Sequence, residues 1–338
     1  MTSFVAPFLR AFGDFVYSQR FVTPASPVQS FSGQTVIVTG GNNGLGKEAA
    51  RHIARLGASK VIIAARNSKK GQEAREDILK TTGREEAAIE VWQLDLSSYD
   101  SVKAFAERTS SLERLDVLLA NAGMQTSGYS TAEGHERTIT VNVISTFLLA
   151  LLLLPKLKES AKRFKIEPRL TIVSSELHAW VNPASFPKTD IFPTLDSEKL
   201  SLNRYMVSKL MEVLIVRELA PSLSESPVIL NVLNPGLCYS GLSYQEGDDG
   251  VILKLAKAAF FIIAAARTTE VGSRTLVASA AAGRESHGKY MYDGLVGDEH
   301  LGSWVRSDEG TLVGRRAWEE LSEILEKVSP GVTGNLNS

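Results

Sequence analysis

Residues 35–57, TVIVTGGNNGLGKEAARHIARLG, decide the fold. A β-branched run from Thr35 to Thr39 enters a glycine-rich turn and leaves it as an Ala, Arg, Ile and Lys pattern with helical period. Gly40 permits the tight turn, Gly44 lets the backbone approach a pyrophosphate, and Gly46 lets the helix pack close to the strand. Asn42, Asn43 and Leu45 complete a loop whose amides, with the helix dipole, face an anion. A bare glycine pattern is an ordinary turn; between a strand and a helix it predicts a dinucleotide site.

Outward from this unit, short apolar runs alternate with helical ones, as stacked βαβ units around a parallel sheet require. The further strands are predicted at 60–66, 87–95, 115–123, 169–175, 228–236 and 288–294, about seven in all with the first. Near-continuous Val, Ile and Leu imply that both faces are covered by helices. The fold class expected is therefore α/β, a single doubly wound parallel sheet carrying a small helical substrate lid. Residues 1–32 read as an amphipathic extension, 33–328 as one catalytic domain with insertions near 176–203 and 239–268, and 329–338 as a tail.

The second strand ends in Ala65-Arg66-Asn67, about twenty residues past the glycines, where a diol-binding carboxylate usually stands. An arginine there pairs with a ribose 2′-phosphate, with Lys69 or Lys70 assisting, so NADP(H) is the expected cofactor. Asp95 and Leu96 after the third strand, and Asn121-Ala122-Gly123 after the fourth, are placed around the adenine and beneath the cofactor, or serve as turn chemistry.

Tyr205 and Lys209 stand one helical turn apart, so phenol and ammonium share a face, and a nearby cation would favour phenolate. Either Ser174 or Ser175, at the end of the fifth strand, faces the cleft at the sheet's carboxyl edge. Asn142 is a polar residue inside an apolar helix and must find partners. It either satisfies backbone groups or holds a water linking Lys209 to solvent, and we expect the relay.

In order, the T-G-x-x-x-G-x-G turn, Asn121-Ala122-Gly123, Asn142, the strand-end serine, Tyr205-x-x-x-Lys209 and Asn234-Pro235-Gly236 resemble the short-chain dehydrogenase/reductase family, through about residue 325. Residues 131–136 and 267–275 are similar to the retinol-dehydrogenase and WW-domain-oxidoreductase-like branch and its fungal biosynthetic relatives. The resemblance implies a Rossmann-type sheet, Tyr205 as acid or base, Lys209 lowering its pKa and holding the ribose, Ser175 orienting the carbonyl, and Asn142 in the relay. It also implies that Pro235, Gly236, Leu237 and Ser240 hold the nicotinamide carboxamide, with serine where the family more often has threonine.

For the substrate we expect Met124, His178, Trp180, Tyr239, Tyr244, Phe260 and Phe261, a largely apolar and aromatic set suited to a hydrophobic ketone or secondary alcohol such as a polyketide, terpenoid, steroid or retinoid. The resemblance leans towards ketoreduction in secondary metabolism. A non-redox use of the same acid and base, or a non-catalytic NADP-binding protein, remains open on residues alone.

Composition sets the outer bounds: 338 residues, 43% hydrophobic, with 37 basic against 38 acidic residues, give no electrostatic case for nucleic acid. One cysteine, Cys238, and five histidines leave no disulfide and no expected metal site. Near the start, Phe4, Phe8, Phe12, Val16 and Phe21 suggest a short amphipathic helix that packs on the body or touches a membrane surface. The apolar runs at 143–154 and 258–266 are shorter than the roughly 20 residues that span a bilayer. A cytoplasmic monomer or homodimer, at most peripheral to a membrane, is the expectation.

Overall fold

The computed structural model describes residues 5–126, 128–239 and 264–337. Strands β1 (Thr35–Thr39), β2 (Lys60–Ala65), β3 (Ile89–Gln93), β4 (Val117–Ala120), β5 (Arg169–Val173), β6 (Ile229–Asn234), β7 (Tyr290–Tyr292) and β8 (Leu295–Val296) form one sheet. Their order is β8-β7-β6-β5-β4-β1-β2-β3, so the chain reverses direction across the sheet between β1 and β4. All neighbours run parallel except β7 and β8.

Side-chain alternation splits the core into two layers. Ile37, Ile62 and Leu118 pack into one, whereas Val36, Val38, Val61, Ile63, Val117 and Leu119 pack into the other. This is the period of two expected of strands covered on both sides. Helices α2 (Gly44–Arg55), α3 (Ser68–Thr82), α4 (Tyr99–Thr109), α5 (Ser145–Phe164), α6 (Arg204–Leu219), α7 (Thr269–Ala281) and α8 (Asp308–Val328) supply the covering faces; a further helix, Val5–Phe21, precedes β1.

The eighth strand was not anticipated. The segment expected as one strand at 288–294 turns at Asp293 and Gly294, both with positive φ (53° and 86°), and returns as antiparallel β8. Asp-Gly is a hairpin signal, and its two residues supply the turn. The supposed tail is also structured: Val332 and Leu336 are buried, and Lys158 Nζ donates to the carbonyls of Asn335 and Leu336. The run at 143–154 belongs to a longer continuous helix, Arg137–Phe164, which by length and composition could cross a membrane; 89% of its most apolar window is buried inside the protein. Burial, not shortness, accounts for that helix. The expected lid, with Ser240, Tyr244, Phe260 and Phe261, and part of the run at 258–266, lies outside the described residues.

The N-terminal helix packs on the body. Ala11, Phe15, Ser18 and Gln19 are its buried face. The buried Arg267 fastens its C-terminal end, donating to Ser18 and to the Val22 carbonyl, while pairing with Asp293 at 2.6 Å. Through its other terminal nitrogen Arg267 also donates to the Pro235 carbonyl.

Candidate active site

At the carboxyl ends of β1, β4 and β5 a cleft of about 320 Å³ is lined by Gly40, Asn42, Asn43, Gly44, Leu45, Gly46, Arg66, Asn67, Lys70, Asn121, Ala122, Gly123, Val173, Ser174, Tyr205, Lys209 and Pro235. Its floor tolerates no side chain at two of the glycines. A Cβ at Gly46 would stand 2.5 Å from Asn121 Nδ2 and 2.6 Å from the Gly40 carbonyl oxygen, and Gly40 itself has φ +65°. Asn121 fixes this floor by donating to the Thr39 carbonyl, while the Ala122 amide donates to the Thr39 hydroxyl. At the start of α2, Asn43 makes no side-chain cap, so the positive helix end opens onto the cleft.

Arg66 and Lys70 both line the cleft, and neither side chain has a protein partner among the described residues. Asn67 caps α3 by accepting from the Lys70 amide. Asp95 and Leu96 do not reach the lining: the Asp95 carboxylate holds the Ser97 amide and hydroxyl, and Leu96 is buried in the core.

Tyr205 and Lys209 rise into the cleft from the first turns of α6, whose start is capped by Asn203. Ser174 donates its hydroxyl to the Lys209 carbonyl and so ties α6 to β5, whereas the Ser175 hydroxyl accepts from the Leu177 amide and lines the apolar cavity with Tyr205. Lys209 Nζ donates to the Val173 carbonyl and to Glu212 Oε1, each at 2.8 Å, with ammonium and carboxylate only 4% and 2% exposed. Burial pushes the Glu212 carboxyl up to about 7, against the pull of Lys209.

This pair overturns one expectation. Burial first, and then the charge of Glu212, hold the Tyr205 phenol above the ordinary range, with the Ser175 hydrogen bond pulling the other way. Lys209 stands 5.7 Å from the phenol ring centroid, but its charge is largely answered by Glu212. Glu212 was missed because a glutamate three residues after a lysine reads as a surface helix pair; only the fold buries it.

Asn142 lies in a π-helical turn, Thr140–Ile144, where its Nδ2 donates to the Met124 carbonyl and Ser208 hydroxyl, and its Oδ1 accepts from the Met124 amide. Both amide hydrogens and one Oδ1 lone pair are thereby spent on protein groups. Asn142 Oδ1 and Lys209 Nζ nonetheless converge on Gly123, 3.4 and 3.6 Å from where its Cβ would be.

A second, apolar cavity of about 290 Å³ adjoins the cleft. Leu45, Ser174, Tyr205 and Pro235 line both; Ser175, Trp180, Gly236 and Leu237 line the cavity alone. Of the expected substrate residues within the described segments, only Trp180 belongs to this wall. Met124 packs against the core and supports Asn142, and Tyr239 stays 40% exposed away from the lining. His178 lies behind this wall: it is buried, its Nδ1 bonds the Ser175 carbonyl at 2.8 Å, and burial drops it to about 4. A neutral imidazole there accepts from the Gly302 amide and steadies the backbone of Ser175.

Sequence reading missed Phe15, Gln125, Glu176 and Cys238 in the cavity wall. Phe15 comes from the N-terminal helix and meets Trp180 edge-on, with centroids 5.5 Å apart. Gln19 of the same helix donates to the Leu237 carbonyl at 2.9 Å. Among the described residues no cluster could hold a metal ion, and Cys238 is a buried thiol pushed up to about 12 by desolvation.

A doubly wound sheet with a glycine-floored cleft, and a serine, tyrosine and lysine at its inner end, defines a nucleotide-cleft protein of dehydrogenase type. The chain belongs to the short-chain dehydrogenase family: the model described as "short chain dehydrogenase" matches residues 34–166. The relative named short chain dehydrogenase/reductase dmxR8, from a Cryptosporiopsis species, is 46% identical over 330 residues, covering 95% of this chain and 99% of its own. Short-chain dehydrogenase anuD of Penicillium roqueforti is 44% identical over 327 residues, with 94% and 84% covered. Among solved structures, the chain is similar in fold to the Pseudomonas aeruginosa RhlG/NADP complex, with TM-score 0.60, 23% identity, and 82% and 100% covered. A 3-oxoacyl (acyl-carrier-protein) reductase from Agrobacterium tumefaciens gives TM-score 0.59 at 19% identity, with 78% and 94% covered.

Proposed function

We propose that this chain is an NADP(H)-dependent oxidoreductase that reduces a ketone of a hydrophobic small molecule to the secondary alcohol, as a step of fungal-type secondary metabolism. The observation that carries the reading is the position of Tyr205, which lines both the glycine-floored cleft and the apolar cavity beside it. A phenol at that junction can reach groups in either space.

The residues present fit a dinucleotide. Gly46 lets α2 start tight against the Gly40 turn and Asn121, the open end of α2 suits a pyrophosphate, and the unpartnered Arg66 and Lys70 side chains suit a 2′-phosphate. NADPH bound there supplies the hydride. Lys209 and the Gly123 backbone would hold the sugar, and the Pro235–Leu237 segment would hold the carboxamide. Ser175 would orient the substrate oxygen, and Tyr205 Oη would give it a proton. Relatives with dehydrogenase names from fungi agree with this class of chemistry.

NADPH deuterated at nicotinamide C4 tests the reading. Label appearing on the product carbon is the expected result; turnover of a substrate without transfer of label would replace reduction by a non-redox use of the same acid.

A further inference from the structure

Tyr205, Lys209 and Glu212 follow one another at i, i+4 and i+7 along α6, so the three side chains share one helical face. Tyr205 and Lys209 line the cleft; Glu212 is in the wall of neither cavity. Its Oε1 accepts from the Lys209 ammonium at 2.8 Å, and its Oε2 is buried with no hydrogen-bond partner among the described residues. The carboxylate is therefore given over to the lysine of the site.

An exposed ion pair on a helix contributes little and costs little. This pair is 4% and 2% exposed, so two charges leave water together, and apolar side chains of similar volume would often hold a fold as well. Packing gives no reason for a carboxylate here; the lysine does. An ammonium has three hydrogens, of which the Val173 carbonyl takes one and Glu212 another. With both taken, the nitrogen is fixed beside the Gly123 backbone, 5.7 Å from the Tyr205 ring centroid.

The groups that approach from neighbouring elements supply no second counter-charge. The Val173 carbonyl and Ser174 hydroxyl at the end of β5, and Asn142 in the π-helical turn, are neutral. In the turn after β5, Glu176 is held by Tyr292 and Asn234, and His178 by the Ser175 carbonyl. On α8, Arg315 lies beside Glu218, further along α6. The Cys238 thiol, in the cavity wall with Tyr205, is uncharged at neutral pH.

We propose that Glu212 is a positioning residue for the Tyr205–Lys209 pair: its charge pins the ammonium and offsets the pull of that ammonium on the phenolic proton. Glu212 acts on Tyr205 without reaching substrate or cofactor itself. Its part in the reaction rests on the reading of Tyr205 as the proton donor.

The test is ultraviolet titration of the phenolate in the full chain, with each form compared to the same form carrying Tyr205→Phe, so that only the Tyr205 signal remains. Glu212→Gln keeps an oxygen for Lys209 and loses the charge; Glu212→Asp keeps the charge on a shorter arm. Without the carboxylate the ammonium is unopposed and favours phenolate, so Tyr205 should ionise about one to three pH units lower in Glu212→Gln than in the unaltered protein. Glu212→Asp should titrate with the unaltered protein. Coincident titrations of Glu212→Gln and the unaltered protein overturn the proposal. So does a displacement of one unit or more in Glu212→Asp, which would assign the effect to packing instead of charge. NADPH consumption with α-tetralone scores the reduction reading separately. Turnover without the displacement removes only the role of Glu212, whereas the displacement without turnover leaves that role standing and removes the reading.

Discussion

The two cavities that meet at Tyr205 are made of different material. The glycine-floored cleft is built from short consecutive runs, 40–46, 66–70 and 121–123, each at the end of a strand in the first half of the sheet. The apolar cavity gathers single side chains from far apart: Phe15 near the start, Gln125, the 174–177 turn with Trp180, and the 234–238 segment. A dinucleotide phosphate is recognised mainly by main-chain shape and helix polarity, which local sequence dictates. An apolar substrate is recognised by the surfaces that tertiary packing leaves exposed, so its wall depends on which distant elements touch.

Tyr205 belongs to both, and changing it should produce the largest effect. Tyr205→Phe removes one oxygen from the ring at the junction of the two cavities, so turnover with NADPH and a ketone should fall by about 10²- to 10⁴-fold, the usual worth of a positioned acid. Affinity for NADPH, followed by nicotinamide fluorescence, should stay within about twofold. A variant that kept its rate would break the assignment of the proton to this phenol; one that lost the dinucleotide as well would show that the junction is held together by the phenol itself.

That division explains what could be read in advance. The strands, the glycine turn and the cleft residues Arg66 and Lys70 follow from hydrophobic period, glycine spacing and a missing carboxylate, which are all local signals. Asp95 and Leu96 fall outside the cleft lining, because a position near the cleft says nothing of where a side chain is spent: one holds Ser97, and the other is core. His178 failed for a related reason. Its polarity suggested a surface or a substrate contact, yet the fold buries it against the Ser175 carbonyl and the Gly302 amide. Glu176 and Glu212 left almost no local trace, because an acidic residue is usually solvated and only the assembled structure removes the water. The N-terminal helix was legible as amphipathic, but the contact that matters, Phe15 against Trp180, joins residues 165 positions apart in a pairing no periodicity encodes.

Charge recognition at the distal end of the cleft is the next sharpest probe. Arg66→Asp replaces an unpartnered cation with an anion, so it should weaken NADPH and spare NADH. Charge-assisted hydrogen bonds are worth about 1.5–3 kcal/mol, so the ratio of NADPH to NADH efficiency should fall by roughly 10- to 100-fold. Initial rates with each dinucleotide measure it. An unchanged ratio would move the 2′-phosphate away from Arg66 and point to Lys70, the lining cation nearest it in sequence.

The smallest expected effect separates the two cavities most cleanly. Phe15 is 6% exposed, packs edge-on against Trp180 and lines only the apolar cavity, while Gln19, one helical turn later, grips the Leu237 carbonyl. Phe15→Ala would remove the wall and keep the grip. KM for a bound ring ketone such as α-tetralone should then rise by up to about tenfold, within the roughly 1–3 kcal/mol that a small change in an apolar pocket commands, with NADPH affinity unchanged. Should NADPH affinity fall in step, the N-terminal helix would be acting through Gln19 and Arg267 on the Pro235–Leu237 segment, and the boundary between the two regions would lie in that segment rather than at Tyr205.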